Sequence, residues 1–170
     1  MKSDTSIKDL TKMAMMAAIV FVGVYLVKIP TLNGYVHIGD SMIFLSVLIL
    51  GTKRGAFAGG LGAAISDLLA GYAVYVVPTF IIKFIMAFIM GMFIDKLMPH
   101  AKWNWVIGAI VGGVAQCILY MLFEMVMYGI AGGLASFIPN LGQSAAGILI
   151  AAILVTVFQK AGVLNRLRSI

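Results

Sequence analysis

The chain has 170 residues, of which 62% are hydrophobic and 11% charged, with a mean hydropathy of +1.09. A soluble domain carries about a quarter of its residues charged, so a water-solvated enzyme, a nucleic-acid binder and a disordered tail are excluded as classes. The net charge of +6 has to be read against a bilayer, and the single Cys117, inside an apolar run, can form neither an internal disulfide nor a cysteine metal cluster.

A membrane-crossing helix needs about 20 mostly apolar residues, and the gaps between charges leave room for six. The expected fold is an all-α integral membrane bundle of six transmembrane helices, a single domain over 1–170. The first helix runs from about 9 to 29 and stops before Pro30. The second, about 37–51 with His37 or Asp40 as its start, ends at the turn Gly51-Thr-Lys-Arg-Gly55, and its uncharged run Ser41–Thr52 is so short that it must extend upstream or stay short. A third helix at about 55–71, a fourth at 78–97, a fifth at 103–128 and a sixth at 136–162 complete the bundle. The uncharged stretch Met125–Gln159 is too long for one pass, and Gly129–Gly133 with Pro139 predicts an irregular start to the sixth helix.

Cytoplasmic loops retain positive charge, which sets the orientation. With the N-terminus inside, the cytoplasmic segments hold Lys2, Lys8, Lys12, Lys53, Arg54, Lys96, Lys102, Lys160, Arg166 and Arg168, ten of the twelve basic residues. A one-pass shift destroys that asymmetry, so both termini are expected in the cytoplasm of a multi-pass cell-membrane protein. No cleavable signal peptide is evident, because the N-terminal segment carries Asp4 and Asp9 and leads into a retained first helix.

Two basic residues break the pattern. Lys28 can snorkel from the outer end of the first helix. Lys83 lies about 8 Å inside the fourth, where an unpaired charge costs a few kcal/mol. Glu124 sits at similar depth on the fifth helix, Asp67 near the outer end of the third, and Asp40 opens the second; Asn140 and Gln143 begin the sixth. This coincidence of depth favours a polar cavity open to the outside; the alternative for two of the charges is a Lys83–Glu124 ion pair that only fixes helix packing. Tyr72, Tyr75, Tyr120 and Tyr128 lie at the same level, and Asn33, Tyr35 and His37 fall in the loop between the first two helices. Tyrosines also form the ordinary interfacial belt, but a tyrosine-lined cavity with a few polar groups suits a small heterocycle.

Small residues at four-residue spacing, Gly51, Gly55 and Gly59 and then Gly108 and Gly112, predict close helix contacts. Ala14 and Ala18, also four apart near the inner end of the first helix, form a smooth patch that either packs inside the bundle or docks another membrane protein. Catalysis finds no constellation: His37 and His100 fall on opposite sides of the membrane, His37-Ile-Gly-Asp40 lacks the first glycine of an intramembrane aspartyl protease motif, and no Walker loop is present. No enzyme activity, metal or cofactor is therefore expected, and active transport would draw on an ion gradient or on another subunit.

The residues resemble a known family over the whole chain. The Ala14-Met-Met-Ala-Ala18 patch, Val36-His-Ile-Gly-Asp40 leading into the second helix, and the glycine-rich run Gly55-Ala-Phe-Ala-Gly-Gly-Leu-Gly-Ala-Ala-Ile-Ser-Asp67-Leu-Leu-Ala-Gly-Tyr72 follow in the order seen in substrate-binding S components of energy-coupling factor (ECF) vitamin transporters. The resemblance implies capture of a vitamin at the outer side under a lid formed by the loop between helices one and two. It also implies release inward by toppling, while docked on a transmembrane coupling subunit driven by two ATP-binding cassette ATPases. Carried onto this chain, Ala14 and Ala18 would contact the coupling subunit, and Asn33, Tyr35 and His37 would belong to the lid. Asp67, Tyr72, Tyr75, Lys83, Glu124 and Asn140 are pocket candidates from depth alone. The branch resembles S components for hydroxymethylpyrimidine, the thiamin precursor, or for vitamin B6 forms such as pyridoxine. Pantothenate and riboflavin stay open, as does a stand-alone ion-coupled transporter or channel using Lys83, Glu124 and Asp67 as a relay.

Overall fold

A computed structural model describes residues 6–32 and 35–162. Helix α1, Ile7–Tyr25, starts where the Ser6 side chain accepts the Asp9 N–H at 3.3 Å, two residues ahead of the expected position. It stops four residues before 29, because Lys28–Pro30 (β1) leaves the helix to pair antiparallel with Tyr35–His37 (β2), in the register Lys28↔His37 and Pro30↔Tyr35. The loop expected between the first two helices is therefore a short hairpin. Lys28 sits on it rather than on α1, its ammonium 4.0 Å from the ring centre of Tyr25 and 4.8 Å from that of Tyr35.

Helix α2, Gly39–Leu50, stays short, about 18 Å at 1.5 Å per residue. Of the two starts expected, His37 belongs to β2, and Asp40 is within one residue of the observed start. The helix can be short because it lies inside the bundle, packed against α1, α3, α4 and α5, with Asp40, Ser41, Ile43, Phe44 and Ser46 fully enclosed. Gly51, at φ 80°, reverses the chain in one residue, so α3 (Thr52–Leu69) begins three positions before 55. A 3-10 turn, Ala73–Tyr75, leads into α4 (Val76–Met92), with Pro78 in the first turn where no N–H is needed, and a π turn, Phe93–Leu97, closes it.

The last element, α5 (Asn104–Lys160), is broken once, at Gly129 (φ 78°, ψ 172°), into arms 104–128 and 130–160. The irregularity expected over Gly129–Gly133 is confined to that residue. Pro139 is carried inside the second arm, which begins at 130 rather than 136. Four of the five spaced glycines serve close packing: a side chain on Gly55 or Gly59 would meet Ser46–Val47 or Ile43 of α2, and one on Gly108 or Gly112 would meet Met90 or Met86 of α4, whereas Gly51 has no neighbour within 4 Å and serves the turn instead.

Outward faces are apolar. Leu68, Val126, Ile130, Ile138, Leu149 and Ile153 all point away from the core, a surface that water would penalise and hydrocarbon accepts. Two stretches, Ala73–Leu97 and Asn104–Lys160, are long and apolar enough to cross a membrane by length and composition.

Candidate functional site

The hairpin, the C-terminal end of α3, the N-terminal end of α4 and the region around the Gly129 break meet at one end of the bundle. Between them is a cavity lined by Thr31, Tyr35, Val36, His37, Asp67, Tyr72, Tyr75, Thr79, Tyr120, Glu124, Ser136, Pro139, Asn140 and Gln143, with about 540 Å3 of empty space counting its mouth. Helical spacing explains the convergence. Gln116, Tyr120 and Glu124 recur every four residues on one face of the first arm of α5, and Ser136, Asn140 and Gln143, four and then three residues apart, share one face of the second arm.

One wall is aromatic. Tyr35 meets Tyr72 edge-on at 5.2 Å between ring centres, Tyr72 meets Tyr75 at 6.1 Å, and Tyr75 meets Phe123 at 5.2 Å. The other lining groups are mostly polar. The Tyr35 hydroxyl donates to Asp67 Oδ1 at 2.7 Å, tying the hairpin to α3. The Tyr120 hydroxyl donates to Thr79 Oγ1 at 3.0 Å, and Thr79 is in turn hydrogen-bonded to the Asp67 carboxyl. Glu124 shares a hydrogen bond with Tyr75, and Asn140 Nδ2 donates to the Ser136 carbonyl at 3.0 Å. Burial and the Asp67 carboxylate push the Tyr35 phenol up from its ordinary value, so it remains a hydrogen-bond donor at neutral pH.

Beneath this cavity lies a second polar layer, closed to solvent. Lys83 Nζ donates to Asp40 Oδ1 at 2.5 Å and to Gln116 Oε1 at 2.6 Å, and both charged side chains are 0% exposed. Asp40 Oδ2 accepts from Gln116 Nε2 at 2.7 Å and from Gln143 Nε2 at 3.1 Å. Gln143 Oε1 then accepts the backbone N–H of His37 at 2.9 Å. This amide joins the buried pair to the hairpin above it. His37 Nδ1 accepts the Gly39 N–H at 3.1 Å, which leaves its ring proton on Nε2. Burial, with the Lys83 ammonium adding to it, lowers the His37 pKa to about 3, so the ring is neutral at physiological pH.

The structure thus brings Tyr35, His37, Asp67, Tyr72, Tyr75, Glu124 and Asn140 to one cavity. Lys83 is not on its lining. The ion pair recorded for Lys83 is with Asp40, one layer down, rather than the pairing with Glu124 considered from depth, because depth along a helix says nothing about which way a side chain turns. Asn33 lies outside the described residues. Thr31, Thr79 and Ser136 on the lining, and Gln116 beneath it, were not singled out as site residues by sequence, and Pro139 was read only as an irregularity at the start of the sixth helix. Gln143 was noted only for its depth. The four-residue spacing of Gln116, Tyr120 and Glu124 within an uncharged run was the available signal.

Ala14 and Ala18 are both exposed on α1, while Ala17 between them is buried.

The model of the ECF-type riboflavin transporter S component family matches residues 4–160. The chain belongs to that family. This S component is 28% identical over 169 residues to the thiamine precursor transporter HmpT of Lactococcus lactis subsp. cremoris, covering 96% of this chain and 95% of the relative. It is also 32% identical over 124 residues to an uncharacterized protein in the gap 3′ region of Pyrococcus woesei, covering 73% of this chain and 82% of that one. The S component is accordingly a mainly helical membrane protein of vitamin uptake, a transport subunit rather than an enzyme.

Proposed function

We propose that this S component captures a small hydroxymethylated heterocycle, hydroxymethylpyrimidine or a vitamin B6 form, in the cavity under the β1–β2 hairpin. The observation that carries this reading is the convergence of two carboxyls, four tyrosines and two amides on one enclosed space beneath a strand pair tethered through Tyr35 and Gln143. A flat ring lies against the tyrosine wall while its hydroxyl and amino protons go to Asp67 and Glu124. Tyr35 and His37, on β2, belong to the lid. The name of the Lactococcus relative, a thiamine precursor transporter, supports the same ligand class. Riboflavin is the second reading, carried by the description of the matched family.

The six helical segments cross the membrane with both termini in the cytoplasm, which places the cavity at the outer face and ten of the twelve basic residues inside. Energy comes from two ATP-binding cassette ATPases through a transmembrane coupling subunit. That subunit docks on the exposed Ala14–Ala18 face of α1. Ala14→Trp or Ala18→Trp should abolish co-purification with the coupling subunit while ligand binding stays within about twofold of wild type; an intact complex would reduce the patch to ordinary lipid-facing surface.

The test of capture is mass spectrometry of small molecules released from the detergent-purified chain, followed by titration with hydroxymethylpyrimidine, pyridoxine, pantothenate and riboflavin. A released or titrated heterocycle supports the proposal. No bound ring, with ion-dependent flux in liposomes that lack any ATPase, would replace it with an autonomous transporter.

A further inference from the structure

The charges around the cavity are distributed so that its acids face the ligand and its cations do not. Asp67 and Glu124 are on the lining, whereas no lysine or arginine is, among the described residues. The nearest buried cation, Lys83, is committed to Asp40 and Gln116 in the layer below, at 0% exposure. Lys28, the cation on the hairpin, lies over the rings of Tyr25 and Tyr35. His37 is neutral, with Nδ1 already accepting from Gly39. The remaining polar lining groups, the tyrosine, threonine and serine hydroxyls and the Asn140 and Gln143 amides, carry no charge.

From this arrangement we infer, on the basis of the capture reading above, that the cavity is charge-selective: it takes the neutral or cationic, donor-bearing form of its ring and rejects the same ring carrying a phosphate or carboxylate. A phosphate monoester brings a charge of about −1.5 to −2 and needs lysine, arginine or a nest of N–H groups to replace its water. Here it would meet carboxyls instead. The mismatch holds whether or not either carboxyl carries a proton, since a protonated acid supplies one hydrogen bond but no counter-charge. A ring amine, hydroxyl or protonated ring nitrogen, in contrast, finds acceptors at Asp67 and Glu124. Asp67 and Glu124 are then the specificity-determining residues. Pantothenate, whose carboxylate would have called for Lys83, is rejected because Asp40 already neutralises that lysine.

The test is equilibrium titration of the purified full chain with matched pairs, hydroxymethylpyrimidine against its monophosphate and pyridoxine against pyridoxine 5′-phosphate, with pantothenate alongside. We expect each ester to bind about 100-fold more weakly than its parent ring, since like-charge juxtaposition and an unpaired desolvated anion both penalise it. Asp67→Asn should shrink that ratio about tenfold, Glu124→Gln serves if the first variant does not fold, and Lys28→Ala should leave the ratio unchanged. An ester that binds within about threefold of its parent overturns charge selectivity while leaving capture of a ring intact. Ester affinity that depends on Lys28 overturns it as well, by showing that the hairpin supplies the missing cation. If no ring binds in any form, the capture reading fails and charge selectivity falls with it. Where neither variant folds, the wild-type ratios alone decide.

Discussion

Asp67 and Asp40 are both aspartates in the same half of the bundle, yet they sit in opposite surroundings. Asp67 faces the cavity, accepting from the Tyr35 hydroxyl of the hairpin and hydrogen-bonded to Thr79, with no lysine or arginine on the cavity lining among the described residues. Asp40, one layer below, is sealed from solvent and saturated by Lys83, Gln116 and Gln143. A matched and fully enclosed ion pair holds helices in place and exchanges nothing, whereas a carboxyl on a cavity wall, held by hydroxyl groups, can exchange those bonds for the donors of a ligand. Charge inside a membrane protein is therefore informative about function only together with the direction in which it points.

The comparison is broken most forcefully in the lower layer. Asp40→Asn leaves the Lys83 ammonium without its counter-charge and should cost about 3–5 kcal/mol of stability, read as a large drop in thermal midpoint in detergent. The double change Asp40→Leu with Lys83→Met should recover most of that loss. If the single variant is as stable as wild type, the lower layer is not scaffolding.

Asp67→Asn tests the upper layer. It should leave the thermal midpoint nearly unchanged and weaken ring binding by about 1.5–3 kcal/mol, roughly ten- to a hundredfold, by calorimetric titration. Stability loss without an affinity loss would reverse the roles assigned to the two aspartates.

His37 links the layers and supplies a pH dependence. Its folded value of about 3 lies below the ordinary 6.5, so the unfolded chain takes up the proton first as pH falls. The stabilisation is complete above about pH 6.5 and is lost progressively between there and about pH 3; from pH 7 to 5 the loss is about 2 kcal/mol. Denaturant midpoints measured across that range should fall, and the His37→Gln variant should show a flatter profile.

Gln143→Leu removes the amide that joins Asp40 to the hairpin and leaves a buried His37 N–H without its acceptor. A cost of about 1–2 kcal/mol should appear as faster hydrogen exchange at His37 and faster ligand release, with little change in association rate. An unchanged exchange rate would mean that the hairpin is held by Tyr35 and Asp67 alone.

Much of this was legible in the sequence, for identifiable reasons. Composition and charge spacing gave a helical membrane bundle, because transfer of about 20 apolar residues into hydrocarbon leaves little freedom in how the chain is arranged. Depth along each helix brought Asp67, Tyr72, Tyr75, Glu124 and Asn140 to one level, and they share one cavity. Rotation about each helix axis was less accessible. Position along its helix assigns Lys83 a depth similar to that of Glu124, but its ammonium turns toward Asp40 in the layer below, a choice made by packing among α2, α4 and α5 that no single helix records. The hairpin was read as a loop because two three-residue strands are too short to show an alternating pattern. Gln116 escaped notice as one amide in an apolar run, although its spacing with Tyr120 and Glu124 was visible.

The most direct measurement of the central claim is equilibrium binding of labelled hydroxymethylpyrimidine and pyridoxine to the purified S component, without ATPases or coupling subunit, for wild type and Asp67→Asn side by side. Saturable one-site binding of a ring to wild type, weakened at least tenfold in a variant that remains folded, is the predicted result. Binding that is absent in wild type for every ring tried, or that is indifferent to Asp67, would contradict capture in this cavity.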